Sequence, residues 1–179
     1  LRYYGAKRIV VDPVMVASAG SSLMKRDAVK SLVRELLPIA TLVTPNIPEA
    51  EVLSGLTVET KEDMIAAAKQ IGERYHCAVL LKGGHSINDA NDLLYADGEF
   101  HWFEGKRINN PNTHGTGCTL SSAITAFMAR GCDMCEAIAQ AKRFITEAIR
   151  SGADVVVGSG AGPVNHGFNP QKMLVYESK

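Results

Sequence analysis

Apolar residues along this chain form either short continuous runs or stripes that repeat every three or four positions. A short continuous run is typical of a strand buried on both faces of a parallel sheet, whereas a stripe at that spacing indicates an amphipathic helix. On this basis the pattern predicts strands at 8–15, 41–44 and 77–81 and helices at 25–37, 47–53, 61–75, 115–130 and 133–150.

Two further strands, at 92–96 and 99–104, flank Asp97-Gly98, a dipeptide typical of a tight hairpin turn. Strands that alternate with helices imply β–α–β units, a mostly parallel sheet and helices on both of its faces. We therefore expect an α/β fold. Ligands of such sheets bind beyond the carboxyl ends of the strands, so the polar residues that follow each strand are the candidates for function.

Length and composition limit the classes of protein to which this chain can belong. The length of 179 residues fits one domain, 1–179. Lys plus Arg and Asp plus Glu both number 19, and this balance argues against a general nucleic-acid binder. The apolar runs are far shorter than the roughly 20 residues that cross a membrane. A domain of this length needs no disulfides, so its four cysteines fit a reduced, cytoplasmic protein.

The clearest chemical motif is the sequence NTHGTGC at 112–118. Gly115, Thr116 and Gly117 stand at a predicted helix N-terminus, where free N–H groups and the helix dipole attract anions and glycine permits close approach. Cys118 falls in the first turn, a position that favours the thiolate of a cysteine and makes it a candidate general base. The alternative is a Gly-rich turn before a helix of small residues, with Cys118 packed as a small apolar side chain.

Four other residues after predicted strands carry suitable chemistry. Asn46 and Glu49 are three residues apart and share a helix face, so they are candidates to hold Mg²⁺ through its waters; the alternative is a helix cap with a first-turn acid. Asp12 places a carboxylate after the first strand, where turn aspartates are also common. Lys82 follows the third strand and is either a partner for phosphate oxygens or a solvated lysine.

Five segments together resemble the hydroxymethylpyrimidine/phosphomethylpyrimidine kinases, a thiamine-biosynthesis family of the ribokinase-like superfamily. The segments are VVDPVMVAS at 10–18, LLPIATLVTPNIPEAEVLSG at 36–55, LLKGGH at 80–85, NTHGTGCTLSSAI at 112–124 and GSGAGPVNH at 158–166. The resemblance covers 9–166. It implies a ribokinase-like three-layer α/β/α fold with ATP and Mg²⁺ as cofactors. Members of the family are longer, so we expect this chain to be an incomplete, C-terminal portion of that fold.

The resemblance also implies the reaction. The γ-phosphoryl group of Mg-ATP passes to the hydroxymethyl group of 4-amino-5-hydroxymethyl-2-methylpyrimidine, and a second transfer converts the monophosphate to the diphosphate. Gly115, Thr116 and Gly117 would form the anion hole for that group, and Cys118 would be the base. Most sugar-kinase relatives have aspartate in place of this cysteine, which favours a pyrimidine or pyridoxal acceptor.

The remaining site residues are likewise implied by the resemblance. Glu49 with Asn46 would organise Mg²⁺ and its waters, and Asp12 would lie near the metal and the phosphates. Lys82 would lie near the nucleotide phosphates, and Val14 would contact the pyrimidine ring.

Two other functions stay open from the sequence: a pyridoxal kinase of the same fold, and a non-catalytic remnant that binds pyrimidine or nucleotide. The intact sequence GTGC at 115–118, called the GTGC loop below, argues against a non-catalytic remnant. The resemblance implies a small pyrimidine and ATP as partners, with no nucleic acid or membrane. Members of the family often form dimers, so a homodimer is also among the expected partners.

Overall fold

The computed structural model describes residues 1–15, 23–84, 90–156 and 158–170. Strands and helices follow one another in the predicted order. The strands are β1 (Val10–Val11), β2 (Leu42–Val43), β3 (Ala78–Leu81), β4 (Asp92–Ala96) and β5 (Glu99–Phe103). The helices are α1 (Arg26–Ser31), α2 (Ile47–Ser54), α3 (Lys61–Tyr75), α4 (Thr116–Ala129) and α5 (Met134–Ser151).

The five strands form one sheet in sequential order, parallel from β1 to β3 and antiparallel from β3 to β5. The sheet is therefore parallel over its first three strands, as predicted, and antiparallel beyond β3. The reason is the short connection between β3 and β4, residues 82–91, because a parallel crossover needs a dozen or more residues. The hairpin between β4 and β5 turns at Asp97 and Gly98, which have φ of 53° and 83° and confirm the predicted turn.

Helices cover both faces of this sheet, as predicted. Val43 and Val79 contribute to a core shared with α2 and α3, whereas Leu42 and Leu80 contribute to a second core shared with α4 and α5. Successive residues of a strand point to opposite faces, so these neighbours divide between the two cores. The α/β/α architecture is confirmed.

Two predicted elements differ from the observed ones by more than one residue at an end. The strand predicted at 8–15 is reduced to Val10–Val11, because Pro13 carries no N–H and the Val14 N–H bonds back to the Asp12 carbonyl at 2.9 Å. The helix predicted at 25–37 changes pitch after α1. It continues as a π-helical turn over Leu32–Leu36 and then as a 3₁₀ turn over Leu37–Ile39 that contains Pro38.

Candidate active site

The carboxyl ends of the three parallel strands each contribute one side chain to a single cluster. Asp12, after β1, accepts hydrogen bonds through Oδ1 from Lys82 Nζ at 2.8 Å and from Thr44 Oγ1 at 3.1 Å. Thr44 follows β2 and Lys82 follows β3. The Lys82 and Asp12 side chains are only 14% and 13% exposed. Lys82 is thus held in a shielded ion pair rather than solvated as a free loop lysine.

The N-terminus of α4 lies directly against this ion pair. A Cβ built on Gly117 would lie 3.2 Å from Lys82 Nζ and 3.7 Å from Asp12 Oδ2. A larger residue would therefore fill the space between the helix and the ammonium group. Because Gly117 has no side chain, the backbone N–H groups at the start of α4 lie next to the Lys82 ammonium group. These donors together suit a bound phosphate.

The backbone before α4 exposes its first donors. Gly115 adopts φ of 85°, a conformation that favours glycine, and its carbonyl accepts the Thr119 N–H at 2.8 Å. The N–H groups of Gly117 and Cys118 come before that bond, so they have no acceptor within α4. Thr116 is occupied locally, since its hydroxyl donates to the Thr113 carbonyl at 2.7 Å. Cys118 is an exposed free thiol beside these donors.

Glu49 and Asn46 form a reciprocal cap at the start of α2. Glu49 Oε2 accepts the Asn46 N–H at 2.9 Å, and Asn46 Oδ1 accepts the Glu49 N–H at 2.9 Å. The capping alternative considered for this pair is therefore confirmed, while their part in binding Mg²⁺ stays a prediction. Glu49 Oε1 also accepts the Met15 N–H at 3.3 Å, which joins α2 to the chain after β1.

Glu49 is nearly fully buried, at 2% exposure. Burial raises the pKa of its carboxyl above the usual 4.5, and the hydrogen bond from the Asn46 N–H and the positive charge of Lys82 oppose that rise. The negative charge of Asp12 acts in the same direction as burial. Glu49 therefore interacts electrostatically with both members of the Lys82–Asp12 ion pair. The Lys82 N–H also donates to the Pro45 carbonyl at 2.8 Å, which joins the loop after β3 to the loop before α2.

Val14 is 40% exposed and is two residues from Asp12, at the same edge of the sheet. Its contact with a pyrimidine ring stays a prediction. The residues at 16–18 of VVDPVMVAS and His85 of LLKGGH lie outside the described residues. Among the described residues, no three His, Cys, Asp or Glu side chains are grouped closely enough to hold a metal ion. Of the described helices, none has the length and apolar character that a membrane crossing requires.

Sequence reasoning missed the residue that organises the GTGC loop. Asn112 is 6% exposed and binds three backbone groups through its side chain. Its Oδ1 accepts the Gly162 N–H at 3.0 Å, and its Nδ2 donates to the carbonyls of Gly152 at 2.8 Å and Val155 at 2.6 Å. These bonds join the loop to the end of α5 and to the tail.

The tail runs alongside the loop as a short parallel bridge. The His114 N–H donates to the Gly162 carbonyl at 3.1 Å, and the Val164 N–H donates to the His114 carbonyl at 3.2 Å. A Cβ on Gly162 would lie 2.3 Å from Asn112 Oδ1, so the contact requires glycine. The signals in the sequence were the asparagine that begins NTHGTGC and the glycine of GPVNH, but neither shows that the two segments meet.

Comparisons with known proteins identify the family to which the chain is similar. Residues 1–165 match the family model described as phosphomethylpyrimidine kinase. The chain is 49% identical over 167 residues to the thiamine biosynthesis bifunctional protein ThiED of Geobacter sulfurreducens, covering 93% of this chain and 34% of that protein. It is 43% identical over 163 residues to the hydroxymethylpyrimidine/phosphomethylpyrimidine kinase of Haemophilus influenzae, covering 88% of this chain and 60% of that protein.

A solved structure extends the likeness to three dimensions. The ADP complex of Bacillus subtilis pyridoxal kinase superposes with a TM-score of 0.84 at 37% identity, covering 93% of this chain and 63% of that chain. The chain thus spans only part of each of these relatives, from 34% to 63% of their length. Its sequence and its fold together show that the chain belongs to the phosphomethylpyrimidine kinase family.

Proposed function

We propose that this chain carries the phosphate-binding and catalytic edge of a kinase that phosphorylates 4-amino-5-hydroxymethyl-2-methylpyrimidine and its monophosphate with ATP. The observation that carries the proposal is the position of Gly117 against the Lys82–Asp12 ion pair. Helix N–H donors and an ammonium group converge there on one space. Family membership supports the acceptor class, and the free thiols of all four cysteines fit a cytoplasmic enzyme.

In this proposal the protein acts mainly by positioning and by neutralising charge. The anion hole is the first turn of α4, where Gly115 sets the turn, Thr116 braces it, and the N–H groups of Gly117 and Cys118 donate to the γ-phosphoryl oxygens. The Lys82 ammonium donates to the nucleotide phosphates from the other side, while Asp12 keeps that ammonium in place.

The transfer step itself moves one proton and one phosphoryl group. The Cys118 thiolate takes the proton of the acceptor hydroxyl, and the hydroxyl oxygen forms a bond to the γ-phosphorus. The bond from the γ-phosphorus to the β–γ bridging oxygen breaks, and ADP leaves with that electron pair. The product is the phosphate ester of the hydroxymethyl group.

Carboxylates at the same edge suit Mg²⁺, which prefers oxygen ligands and retains several waters. Bound Mg²⁺ would neutralise charge on the β- and γ-phosphates. We infer that Glu49 with Asn46 would organise Mg²⁺ and its waters, that Asp12 would lie near the metal, and that the reciprocal cap fixes the orientation of Glu49. Val14 would lie against the ring of the acceptor. A homodimer remains a prediction from the family.

Pyridoxal is the second candidate acceptor, because the pyridoxal kinase of Bacillus subtilis is so similar in fold. The test is kcat/KM with Mg-ATP for hydroxymethylpyrimidine, its monophosphate and pyridoxal, measured side by side on the purified protein. We expect both pyrimidines to be preferred over pyridoxal. A preference for pyridoxal would support the second candidate, and ATP binding without transfer to any acceptor would support a non-catalytic binding protein.

The Mg²⁺ requirement should depend on pH through Glu49. Because burial raises the pKa of its carboxyl, protons compete with the metal at a higher pH than they would for an exposed glutamate. We therefore expect the Mg²⁺ concentration for half-maximal transfer to increase as the pH falls from neutrality toward the raised pKa. The fold should persist over this range, because a raised folded-state pKa means that protonation of Glu49 removes an unfavourable buried charge.

The variant Glu49→Gln should need more Mg²⁺ at neutral pH and should lose this part of the pH dependence. Glu62→Gln is the matched control, since Glu62 is an exposed acid in the first turn of α3. Steady-state transfer at varied Mg²⁺ and pH, with circular dichroism to follow folding, measures both effects. An unchanged Mg²⁺ dependence in Glu49→Gln would remove the metal role.

A further inference from the structure

A second buried carboxylate, Asp92 at the start of β4, lies outside the site described above. It is 7% exposed, and each of its oxygens has a partner. Oδ1 accepts the Gly83 N–H at 3.0 Å, and Oδ2 accepts from Lys142 Nζ of α5 at 2.5 Å. Lys142 Nζ also donates to the Ala90 carbonyl at 2.7 Å. We call these four residues, Asp92, Lys142, Gly83 and Ala90, the Asp92 clamp.

The clamp holds a closely packed piece of backbone. A Cβ on Gly83 would lie 1.9 Å from the Asn91 carbonyl oxygen, so residue 83 is pressed against the start of β4 where only glycine fits. A Cβ on Gly105 would lie 2.5 Å from the Ala90 carbonyl oxygen, and the Ala90 N–H donates to the Gly105 carbonyl at 3.1 Å. Little room is left for the backbone at residue 83 to shift.

The Gly83 N–H belongs to the peptide group that also contains the Lys82 carbonyl. Asp92 therefore fixes the peptide on one side of Lys82, while the Lys82 N–H bond to the Pro45 carbonyl fixes the other side. Between these two anchors, the Lys82 side chain extends to Asp12 and to the space beside Gly117. A shift of this backbone would move the ammonium group relative to the N-terminus of α4.

We propose that Asp92 is a positioning residue for phosphoryl transfer: its Oδ1 fixes the 82–83 peptide so that Lys82 meets the nucleotide phosphates, while Lys142 compensates the buried charge of the carboxylate. The proposal rests on the proposed function of the site. A buried ion pair is often no more stabilising than well-packed apolar residues of similar volume, so its placement fits a role in geometry. Burial raises the pKa of the Asp92 carboxyl even with Lys142 beside it, which shows how strongly this position is desolvated.

Two double variants separate this role from simple stabilisation. Asp92→Asn with Lys142→Met removes both charges but leaves a side-chain carbonyl oxygen to accept the Gly83 N–H. Asp92→Leu with Lys142→Met removes both charges and that acceptor as well. Neither variant leaves an unpaired buried charge, so the comparison avoids the large loss of stability expected when one partner of a buried pair is removed alone.

We expect the Asn-containing variant to retain kcat/KM for Mg-ATP close to that of the unaltered protein. The Leu-containing variant should lose about tenfold, the scale of one misplaced hydrogen-bonded group, with most of the loss in KM for ATP. Hydrogen exchange of the Gly83 amide, measured by NMR without substrate, should be slow in the unaltered protein and the Asn variant and fast in the Leu variant. Thermal unfolding of the two variants confirms that both are folded.

If the unaltered protein is active and its two double variants have equal kcat/KM, the positioning role is overturned. Equal rates of hydrogen exchange at the Gly83 amide in the two variants would also overturn it. A protein that transfers no phosphoryl group to any acceptor would overturn the proposed function and this inference with it. The two failures can be told apart because hydrogen exchange at the Gly83 amide is measured without turnover. If the protein is inactive but the Gly83 amide exchanges slowly, the Asp92 clamp is present and the proposed function is what has failed.

Discussion

Replacing Cys118 with alanine is expected to lower phosphoryl transfer by about 10²- to 10⁴-fold, the range that a positioned general base contributes. Cys118 is an exposed thiol in the first turn of α4, next to the glycine that lies against the Lys82–Asp12 ion pair. Alanine keeps the backbone N–H of residue 118 and suits a helix. The affinity for ATP, measured by calorimetry, should therefore change little while kcat falls.

Cys135 offers a matched control for this prediction. It is also an exposed free thiol in the first turn of a helix, because α5 begins at Met134. Partial burial and the negative charge of Asp133 raise the pKa of the Cys135 thiol, which does not favour its thiolate. Cys135→Ala should leave transfer unchanged. Parallel losses of transfer and ATP affinity in Cys118→Ala would instead mean that Cys118 supports the loop structurally.

Replacing Asn112 with alanine is expected to destabilise the fold by about 2–4 kcal/mol. The substitution leaves the Gly162 N–H and the carbonyls of Gly152 and Val155 without their partner at a buried position. It also detaches the tail from the loop that begins α4, so transfer should fall together with stability. Urea unfolding followed by circular dichroism measures the first effect, and steady-state kinetics measures the second.

Asn109 provides the comparison within the same loop. Its side chain is exposed, so Asn109→Ala should change the free energy of unfolding by less than about 0.5 kcal/mol. Similar unfolding midpoints for the two variants would contradict the assignment of Asn112 as the residue that holds the loop. A loss of stability in Asn112→Ala without any loss of transfer would limit its role to the fold.

Local signals were enough to predict most of the elements. Helix α3 begins and ends where its apolar stripe indicates, and Thr60 and Asp63 cap its start through reciprocal hydrogen bonds. The hairpin follows from Asp97-Gly98. The antiparallel pairing of β3 with β4 was not predicted, although the predicted strand bounds already leave only residues 82–91 between them, which are too few for a parallel crossover.

The candidate site was predictable to the extent that it follows the strand ends. Asp12 and Lys82 were found because each stands just after a strand, yet their ion pair joins residues 70 positions apart and no local pattern shows it. The bond from Gly162 to Asn112 spans 50 positions, and that from Lys142 to Asp92 also spans 50. Such pairs are created by the packing of helices on the sheet, which sequence periodicity does not specify.

The most direct test of the proposed transfer is ³¹P NMR of the purified protein with Mg-ATP and hydroxymethylpyrimidine. We predict that each ADP formed is matched by one phosphoryl group on the pyrimidine, one in the phosphate ester and two in the diphosphate, and that Cys118→Ala nearly abolishes the ADP and pyrimidine phosphate signals under the same conditions. ADP with inorganic phosphate and no ester, or no consumption of ATP by a protein that circular dichroism shows to be folded, would contradict the account.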